Sequence, residues 1–262
     1  LIRAIAEGRS DAQSDTVVAM LQARLSKLPP RARRAVLAAS VFGARFRGAG
    51  VAALLGSVEV TAELTVLVES ETIYSHTQST PGPSTEYEFR HALLRDAAYA
   101  LLTEADAAAG HLRAAEFLAG QADRAPAIIA DHFERGGARE RAAQQYLLAA
   151  RGELMSGDID GSLRFLKRGL ACTSERRLRG EFLSLMALRG ILQNQFGECV
   201  EPATQAMQLL PAGSAGWCIA IWVAQYVALA QHDAGRVGEL VMQLIHTDPE
   251  PAADAQYIEA LM

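Results

Sequence analysis

Cysteine and aromatic residues are both scarce in this sequence. The three cysteines, Cys172, Cys199 and Cys218, are odd in number and unevenly spaced within helical patterns, which predicts buried free thiols in a reducing compartment. No pair of His or Cys residues has the spacing of zinc ligands, so no metal site is expected. Aromatic residues make up only 6% of a chain that is 50% hydrophobic. With its abundant Ala and Leu, this composition is typical of a helical globular protein.

Long apolar runs and the motifs of nucleotide hydrolysis are also missing. The longest apolar run, Cys218–Ala224, stops at Gln225, so neither a transmembrane helix nor a membrane partner is expected. The sequence has no signal peptide, no phosphate-binding Gly-x-x-x-x-Gly-Lys-Ser/Thr loop and no kinase motif set. His132 has acidic neighbours, but its helical position favours structural packing over catalysis. We therefore expect a cytoplasmic chain that is not itself an enzyme and holds no cofactor.

The net charge of −5 is unevenly distributed along the chain. Residues 190–262 contain eight acids and one base, whereas residues 1–189 contain 22 acids and 24 Lys or Arg. Between Arg24 and Arg47 there are seven cationic residues and no acid. A cluster of this kind either binds phosphate groups or forms a solvated helix face. The candidate phosphate-binding residues are Arg31, Arg33 and Arg34.

Short helical patterns at the start of the chain lead into a predicted hairpin. Thr72–Ser75 predicts a strand, residues 76–85 a polar loop and residues 85–91 a second strand, and an amphipathic helix then runs to Leu102. Helices, a hairpin with a long tip and a further helix describe a winged helix. The predicted helices before the hairpin are 15–27, 31–41, 48–55 and 60–70.

The junction between the second strand and the helix contains His91. Alternation along the strand places Tyr87, Phe89 and His91 on one face, which we predict to be the buried one. The imidazole would then lie beside a helix N-terminus, where free backbone N–H groups and the helix dipole favour an anion. His91 is therefore a candidate anion-binding residue. The alternative is that it caps the helix or fills a polar pocket in the core.

From about residue 104 the sequence predicts helices only. Gly157, Gly197 and Gly235 mark turns that are 40 and 38 residues apart, and an amphipathic helix follows each of them. A repeat of about 36–40 residues is close to the tetratricopeptide period, and stacked repeats of this kind present a concave surface to a partner. The predicted helices are 107–120, 126–135, 138–155, 159–172, 176–195, 198–210, 215–232, 236–246 and 252–262.

Three segments of the sequence resemble successive parts of one known family. Phe89–Tyr99 (FRHALLRDAAY) resembles the winged-helix signature of the STAND class of signalling ATPases. That class includes the MalT-like regulators and large bacterial predicted ATPases, often fused to a Ser/Thr kinase or a nucleotide cyclase. Leu25–Gly43 looks like the start of the winged helix, and Ile129–Tyr146 looks like the entry to the helical repeats that follow it. Together with the repeats, the resemblance covers nearly the whole chain from about residue 14.

The sequence lacks an initiator Met and begins and stops inside helical patterns, so we expect a fragment of a longer protein. The resemblance implies a mainly α chain. Residues 1–13 would end a helix of an upstream ATPase module, 14–105 would form a winged-helix domain, and 106–262 an α-solenoid of tetratricopeptide-like helix pairs. In related receptors, a Met-His-Asp motif occupies the strand–helix junction, and its histidine contacts the phosphate of bound ADP. His91 matches that histidine and so becomes the candidate nucleotide-binding residue, while Ala92 stands at the position of the Asp.

The resemblance further implies a regulatory and scaffolding role in signal transduction. The winged helix would close on an upstream nucleotide-binding domain that holds ATP or ADP with Mg²⁺, and the repeats would bind a protein or small-molecule effector. The alternative is a DNA-binding winged-helix regulator with a repeat sensor arm. Residues 60–70, where a recognition helix would lie, carry two acids and no base, so nucleic acid is not expected as a partner.

Overall fold

The computed structural model of the protein is mainly helical, which confirms the predicted helical character of the chain. The residues that the structure describes are 17–76, 85–121, 125–253, 256 and 260. Several predicted segments fall partly or wholly outside them. These are the N-terminal segment 1–13, the middle of the loop 76–85 and most of the helix 252–262.

The described residues fall into two compact units. The first contains residues 17–76, 85–121 and 135–137, and the second contains 125–134 together with the described residues from 138 onwards. The sequence places the start of the repeats at residue 106. In the structure, the helix Glu104–Ala119 belongs to the first unit, because it packs on two helices of that unit.

Two helices of the first unit begin where the sequence supplies a helix start signal. Pro30 occupies the first position of its helix, where the missing backbone N–H has no helical partner in any case. Thr103 accepts a hydrogen bond from the backbone N–H of Asp106, so the following helix starts at Glu104 and not at the predicted residue 107. The helices are α1 (17–26), α2 (Pro30–Phe42), α3 (Gly48–Leu55), α4 (Thr61–Glu69), α5 (Ala92–Tyr99) and α6 (Glu104–Ala119).

Three short strands form an antiparallel sheet in the order β1-β3-β2. They are β1 (Arg45–Arg47), β2 (Ile73–Ser75) and β3 (Glu86–Phe89). The predicted pairing of β2 with β3 is present, with Ile73 opposite Phe89. The strand β1 was not predicted, because alternation over three residues is too short to recognise. Its central residue, Phe46, stacks on Tyr87 of β3 with 5.7 Å between the ring centroids.

Small residues give α2 its central position in the first unit. Ala32, Ala35 and Ala39 are buried on this helix, and their small side chains allow α3, α4, α5 and α6 all to contact it. Gly50 of α3 has a similar role, since a Cβ there would come within 2.8 Å of the Phe42 ring. The alanine-rich, aromatic-poor composition therefore corresponds to close helix packing.

The second unit is a succession of helices in which neighbours along the chain are neighbours in space. The helices are α7 (Pro126–Arg135), α8 (Arg139–Ser156), α9 (Ile159–Cys172), α10 (Arg176–Leu192), α11 (Val200–Leu209), α12 (Ala215–Ala230) and α13 (Ala234–Ile245). From α8 onwards, each helix contacts the next one along the chain, and α10 also contacts α8 and α12. The single-turn 3-10 helix Phe196–Glu198 lies between α10 and α11.

The glycines predicted to mark turns behave differently from one another. Gly157 ends α8 in the left-handed region, with φ of 87°, as a turn glycine should. Gly197 lies inside the 3-10 helix. The prediction for Gly235 is wrong, because this residue lies within the first turn of α13. The turn before α13 instead has His232 at φ of 59° and Asp233 as the N-cap.

The remaining composition-based predictions concern thiols and membrane spans. Cys172, Cys199 and Cys218 are all buried and unpaired, as predicted. Trp217 is enclosed in the core of the second unit. Within the described part of the chain, no helix combines the length and the hydropathy needed to cross a bilayer.

Candidate functional site

His91 lies at the N-cap of α5, at the junction that the sequence singled out. Its prediction as a buried residue is wrong: Tyr87 and Phe89 are buried, but His91 is exposed. Pairing in the sheet ends with Phe89 opposite Ile73, so the alternation of faces does not extend to residue 91. The imidazole also makes no capping hydrogen bond to α5. The junction therefore presents this side chain outwards, beside a helix N-terminus.

Arg31 and Arg34 line one cleft of about 250 Å³ in the first unit. Glu59 and Glu63 line the same cleft, and the Arg31 Nη1 to Glu63 Oε1 distance of 4.0 Å marks a weak, exposed ion pair. Arg33 is not among the residues that line it. The structure thus brings together two of the three predicted phosphate-binding residues, but it also places two carboxylates beside them that offset their charge.

Other cations from the 24–47 run have partners of their own. Arg24 donates a hydrogen bond of 2.6 Å to the backbone carbonyl of Ser70. Arg45 donates from Nε to Glu88 Oε2 at 2.9 Å, and the same carboxylate oxygen lies 2.8 Å from His76 Nε2. The cationic run is therefore divided among separate local contacts.

A cluster of polar side chains joins α7, α8 and α9 in the second unit, and we call it the polar clamp. It consists of Asp131, Glu134, Tyr146 and Arg168. Tyr146, which is fully buried, donates its hydroxyl hydrogen to Glu134 Oε2 at 2.7 Å. Arg168 donates from Nε to the same oxygen at 3.1 Å and from Nη2 to Asp131 Oδ1 at 2.9 Å. One guanidinium thereby ties two carboxylates of α7 to α9, in charge-assisted hydrogen bonds.

The electrostatics of the polar clamp favour an ionised Glu134. Burial opposes its ionisation, but hydrogen bonds from Tyr146 and Arg168 and the charge of Arg168 outweigh burial and lower the pKa of Glu134. Burial and the hydrogen bond to Glu134 raise the pKa of Tyr146 well above its usual range. Burial and the negative charge of Glu134 likewise raise the pKa of the Cys172 thiol, so this thiol is a poor nucleophile.

A second carboxylate, Glu140 at the start of α8, fixes the turn between α9 and α10. Its side chain accepts hydrogen bonds from the Thr173 hydroxyl and, at 3.0 Å, from the backbone N–H of Ser174. These hydrogen bonds lower the pKa of Glu140, and the bond from the Thr173 hydroxyl has the largest effect. Charged side chains thus hold successive helices of the second unit in register, and the chemistry of the clamp is structural.

Acid is expected to weaken the polar clamp. Folding lowers the pKa of Glu134. The ionised Glu134 carboxylate therefore contributes its full stabilisation above the unfolded-state pKa, about 4.3. This stabilisation is lost as the pH falls through the lower folded-state pKa. Between roughly pH 5 and pH 3, the urea unfolding midpoint should therefore fall more steeply for the wild type than for Glu134→Gln. Glu153→Gln, also in the second unit but outside the clamp, should retain the wild-type slope. Equal slopes for the wild type and Glu134→Gln would contradict the assignment.

Comparisons with known proteins do not assign the chain to a family. No protein-family model matches the sequence, and no curated protein sequence matches it either. In the ranges that the structure describes, no three His, Cys, Asp or Glu side chains are grouped so that they could hold a metal ion. Function is therefore argued from the arrangement of the helices, the sheet and their exposed side chains.

Proposed function

We propose that this chain is a regulatory and scaffolding segment of a multidomain signal-transduction ATPase of the STAND class. The first unit acts as a winged helix that closes on a nucleotide-binding domain located upstream in the same chain. The second unit acts as a solenoid of tetratricopeptide-like helix pairs that binds a protein or small-molecule effector. ATP or ADP with Mg²⁺ is held by the upstream domain, and the protein works in the cytoplasm.

The observation that carries this proposal is the order of elements in the first unit. Helix α2 is followed by β1, then α3 and α4, then β2 and β3, and the sheet has the order β1-β3-β2. A helical core bordered by a hairpin and one further strand is the arrangement of a winged helix. It lends support to the resemblance of Leu25–Gly43 and Phe89–Tyr99 to that domain of signalling ATPases. The first segment runs from the end of α1 through α2, and the second from the end of β3 through α5.

The packing of the second unit supports its part of the proposal. The pairs α8–α9, α10–α11 and α12–α13 are each in contact, and α10 contacts α8 and α12, one member of each neighbouring pair. Stacks of this kind bury one face of each pair against the next. The polar clamp adds fixed hydrogen bonds between α7, α8 and α9. A rigid stack can transmit the binding of an effector as a shift between two packings of the whole protein.

The DNA-binding alternative is less well supported. In the first unit, α4 occupies the place of a recognition helix, and it carries Glu63 and Glu69 but no basic residue. Phosphates repel such a helix, since DNA contacts depend on Lys and Arg. The cations of the 24–47 run do not compensate for this, because Arg31 and Arg34 share their cleft with Glu59 and Glu63.

The experiment that tests the proposed function is ADP binding to the full-length protein. His91 is exposed beside the N-terminus of α5, so we expect it to contact the ADP phosphate when the winged helix closes. His91→Ala should weaken ADP binding about tenfold, the effect of losing one hydrogen bond to a charged group. Isothermal titration calorimetry of the wild type and the variant measures this ratio.

His246→Ala provides the matched control, because His246 is an exposed histidine at the end of α13. It should leave ADP affinity unchanged. Equal affinities for the wild type and His91→Ala would remove His91 from the proposed contact. The absence of any phosphate-binding loop upstream of this chain in the full-length gene would contradict the proposed function as a whole.

A further inference from the structure

A buried arginine with an unsatisfied hydrogen-bond donor lies in the second unit. Arg189, near the end of α10, is 8% exposed, and its Nε has no hydrogen-bond partner among the described residues. An unpaired donor on a buried charged group is costly, and native proteins rarely leave one without a reason. A guanidinium presents its N–H groups as a fork that fits the two oxygens of a carboxylate.

Among the described residues, the carboxylate paired with Arg189 is that of Asp160, and it compensates the guanidinium only partly. Asp160 Oδ1 lies 3.7 Å from Arg189 Nη2, which is close enough for charge attraction but too long for a hydrogen bond. The same oxygen accepts a hydrogen bond of 2.6 Å from Gln193 Nε2. The Asp160 side chain is also 87% exposed, so solvent screens its attraction for the guanidinium. Within the described residues, the Nε donor of Arg189 is therefore left without a partner.

Arg189 lines a cleft of about 360 Å³, a volume that suits a small ligand. A second cation, Lys167 of α9, lines the same cleft and is exposed. No carboxylate in the described part of the chain lies within ion-pair distance of the Lys167 ammonium. The apolar part of the wall comes from Leu163, Met186 and Pro202.

The charges around the cleft indicate how much negative charge a ligand should carry. Lys167 and Arg189 contribute two positive charges to its lining, and Glu198 contributes one negative charge. The balance is one positive charge, which a single carboxylate neutralises. A ligand with several negative charges would carry more charge than Lys167 and Arg189 can neutralise, and Glu198 would repel it. The apolar wall calls for a hydrocarbon body next to the carboxylate.

We propose that this cleft is a binding site for a small monocarboxylic acid with a short hydrocarbon body. The carboxylate pairs with the Arg189 guanidinium and the Lys167 ammonium, while the hydrocarbon packs on Leu163, Met186 and Pro202. A regulatory role for this binding rests on the proposed function, in which the helical repeats bind an effector. The binding itself is a property of this chain.

The test is a calorimetric titration of this chain with hexanoate, which has one carboxylate and a short alkyl body. We expect saturable binding with a dissociation constant of about a millimolar, as is usual for so small a ligand. Hexanamide, which has the same body without the charge, should bind at least about tenfold more weakly, because it lacks the charge-assisted contacts. Inorganic phosphate, which lacks the hydrocarbon, should also bind more weakly than hexanoate.

Variants separate the cleft from non-specific binding. Lys167→Gln changes an exposed residue and should weaken hexanoate binding several-fold, while Arg189→Gln should weaken it about tenfold or more. Arg164→Gln removes the same charge from another exposed position of α9, outside the cleft, and should leave hexanoate affinity unchanged. If Arg189→Gln does not fold, Lys167→Gln still decides the question.

Two results would overturn the inference: no saturable binding of hexanoate to the wild type, or equal hexanoate affinities for the wild type and Lys167→Gln. Phosphate binding as tight as that of hexanoate would overturn the requirement for a hydrocarbon body. These failures are distinguishable from failure of the proposed function. The latter is measured by ADP binding to the full-length protein and its dependence on His91, neither of which involves the cleft.

Discussion

Replacing Tyr146 by Ala is expected to destabilise the second unit by about 4 kcal/mol, the usual cost of removing a large buried aromatic side chain. Tyr146 is fully buried and stacks on Phe165, with 6.1 Å between the ring centroids. Its hydroxyl donates to Glu134 in the polar clamp. The truncation therefore leaves a cavity and also removes a hydrogen-bond donor from a partly buried carboxylate. Urea unfolding followed by circular dichroism measures the loss.

Tyr146→Phe separates the two contributions. It keeps the packing and removes only the hydrogen bond to a charged group, so we expect a smaller loss of about 1.5 kcal/mol. Tyr226→Ala is the matched control, since Tyr226 lies on the exposed side of α12. It should cost about 1 kcal/mol or less. A loss for Tyr146→Ala no larger than that for Tyr226→Ala would show that the clamp does not stabilise the unit.

The second large effect is expected at Gly169, where α9 and α10 approach each other closely. A Cβ at this position would lie 2.1 Å from the Phe182 ring, and Phe182 is itself fully buried, so the ring has no room to move away. Overpacking of this kind costs about 1–3 kcal/mol. The better helix propensity of Ala offsets at most about 1 kcal/mol of it. We expect Gly169→Ala to destabilise the second unit by about 2 kcal/mol in urea unfolding.

Gly152→Ala should have the opposite sign. Gly152 also lies within a helix, α8, but a Cβ there meets no atom within 4 Å. The substitution then gains helix propensity without a clash, and stability should rise by about 0.5–1 kcal/mol. The pair thus tests whether packing, and not the loss of glycine as such, governs the response. A stabilising Gly169→Ala would mean that α9 and α10 separate more easily than their contact suggests.

Most helices could be predicted from local signals. The prediction of 159–172 coincides with α9 because Asp158 caps its start and an apolar stripe runs along its length. The prediction of 48–55 likewise coincides with α3, which ends at Gly56 in the left-handed region. Caps, glycine stops and apolar periodicity are properties of neighbouring residues, so the sequence contains them directly.

The candidate sites were less predictable. His91 was correctly placed at a strand–helix junction, but its exposure depended on where pairing with β2 ends. Arg168 lies 34 residues after Glu134, and no local pattern connects the guanidinium with that carboxylate. Arg189 has the sequence context of an ordinary helical arginine. Only its burial against neighbouring helices reveals the unsatisfied donor.

The sequence by itself determined that this protein is mainly helical, that its cysteines are buried and where most of its helices start and stop. These properties follow from composition, caps and periodicity, which act over a few residues. Tertiary structure alone decided the strand β1, the exposure of His91, the polar clamp and the cleft beside Arg189. Each of these depends on which distant residues meet, and that is set by the packing of whole helices and strands against one another.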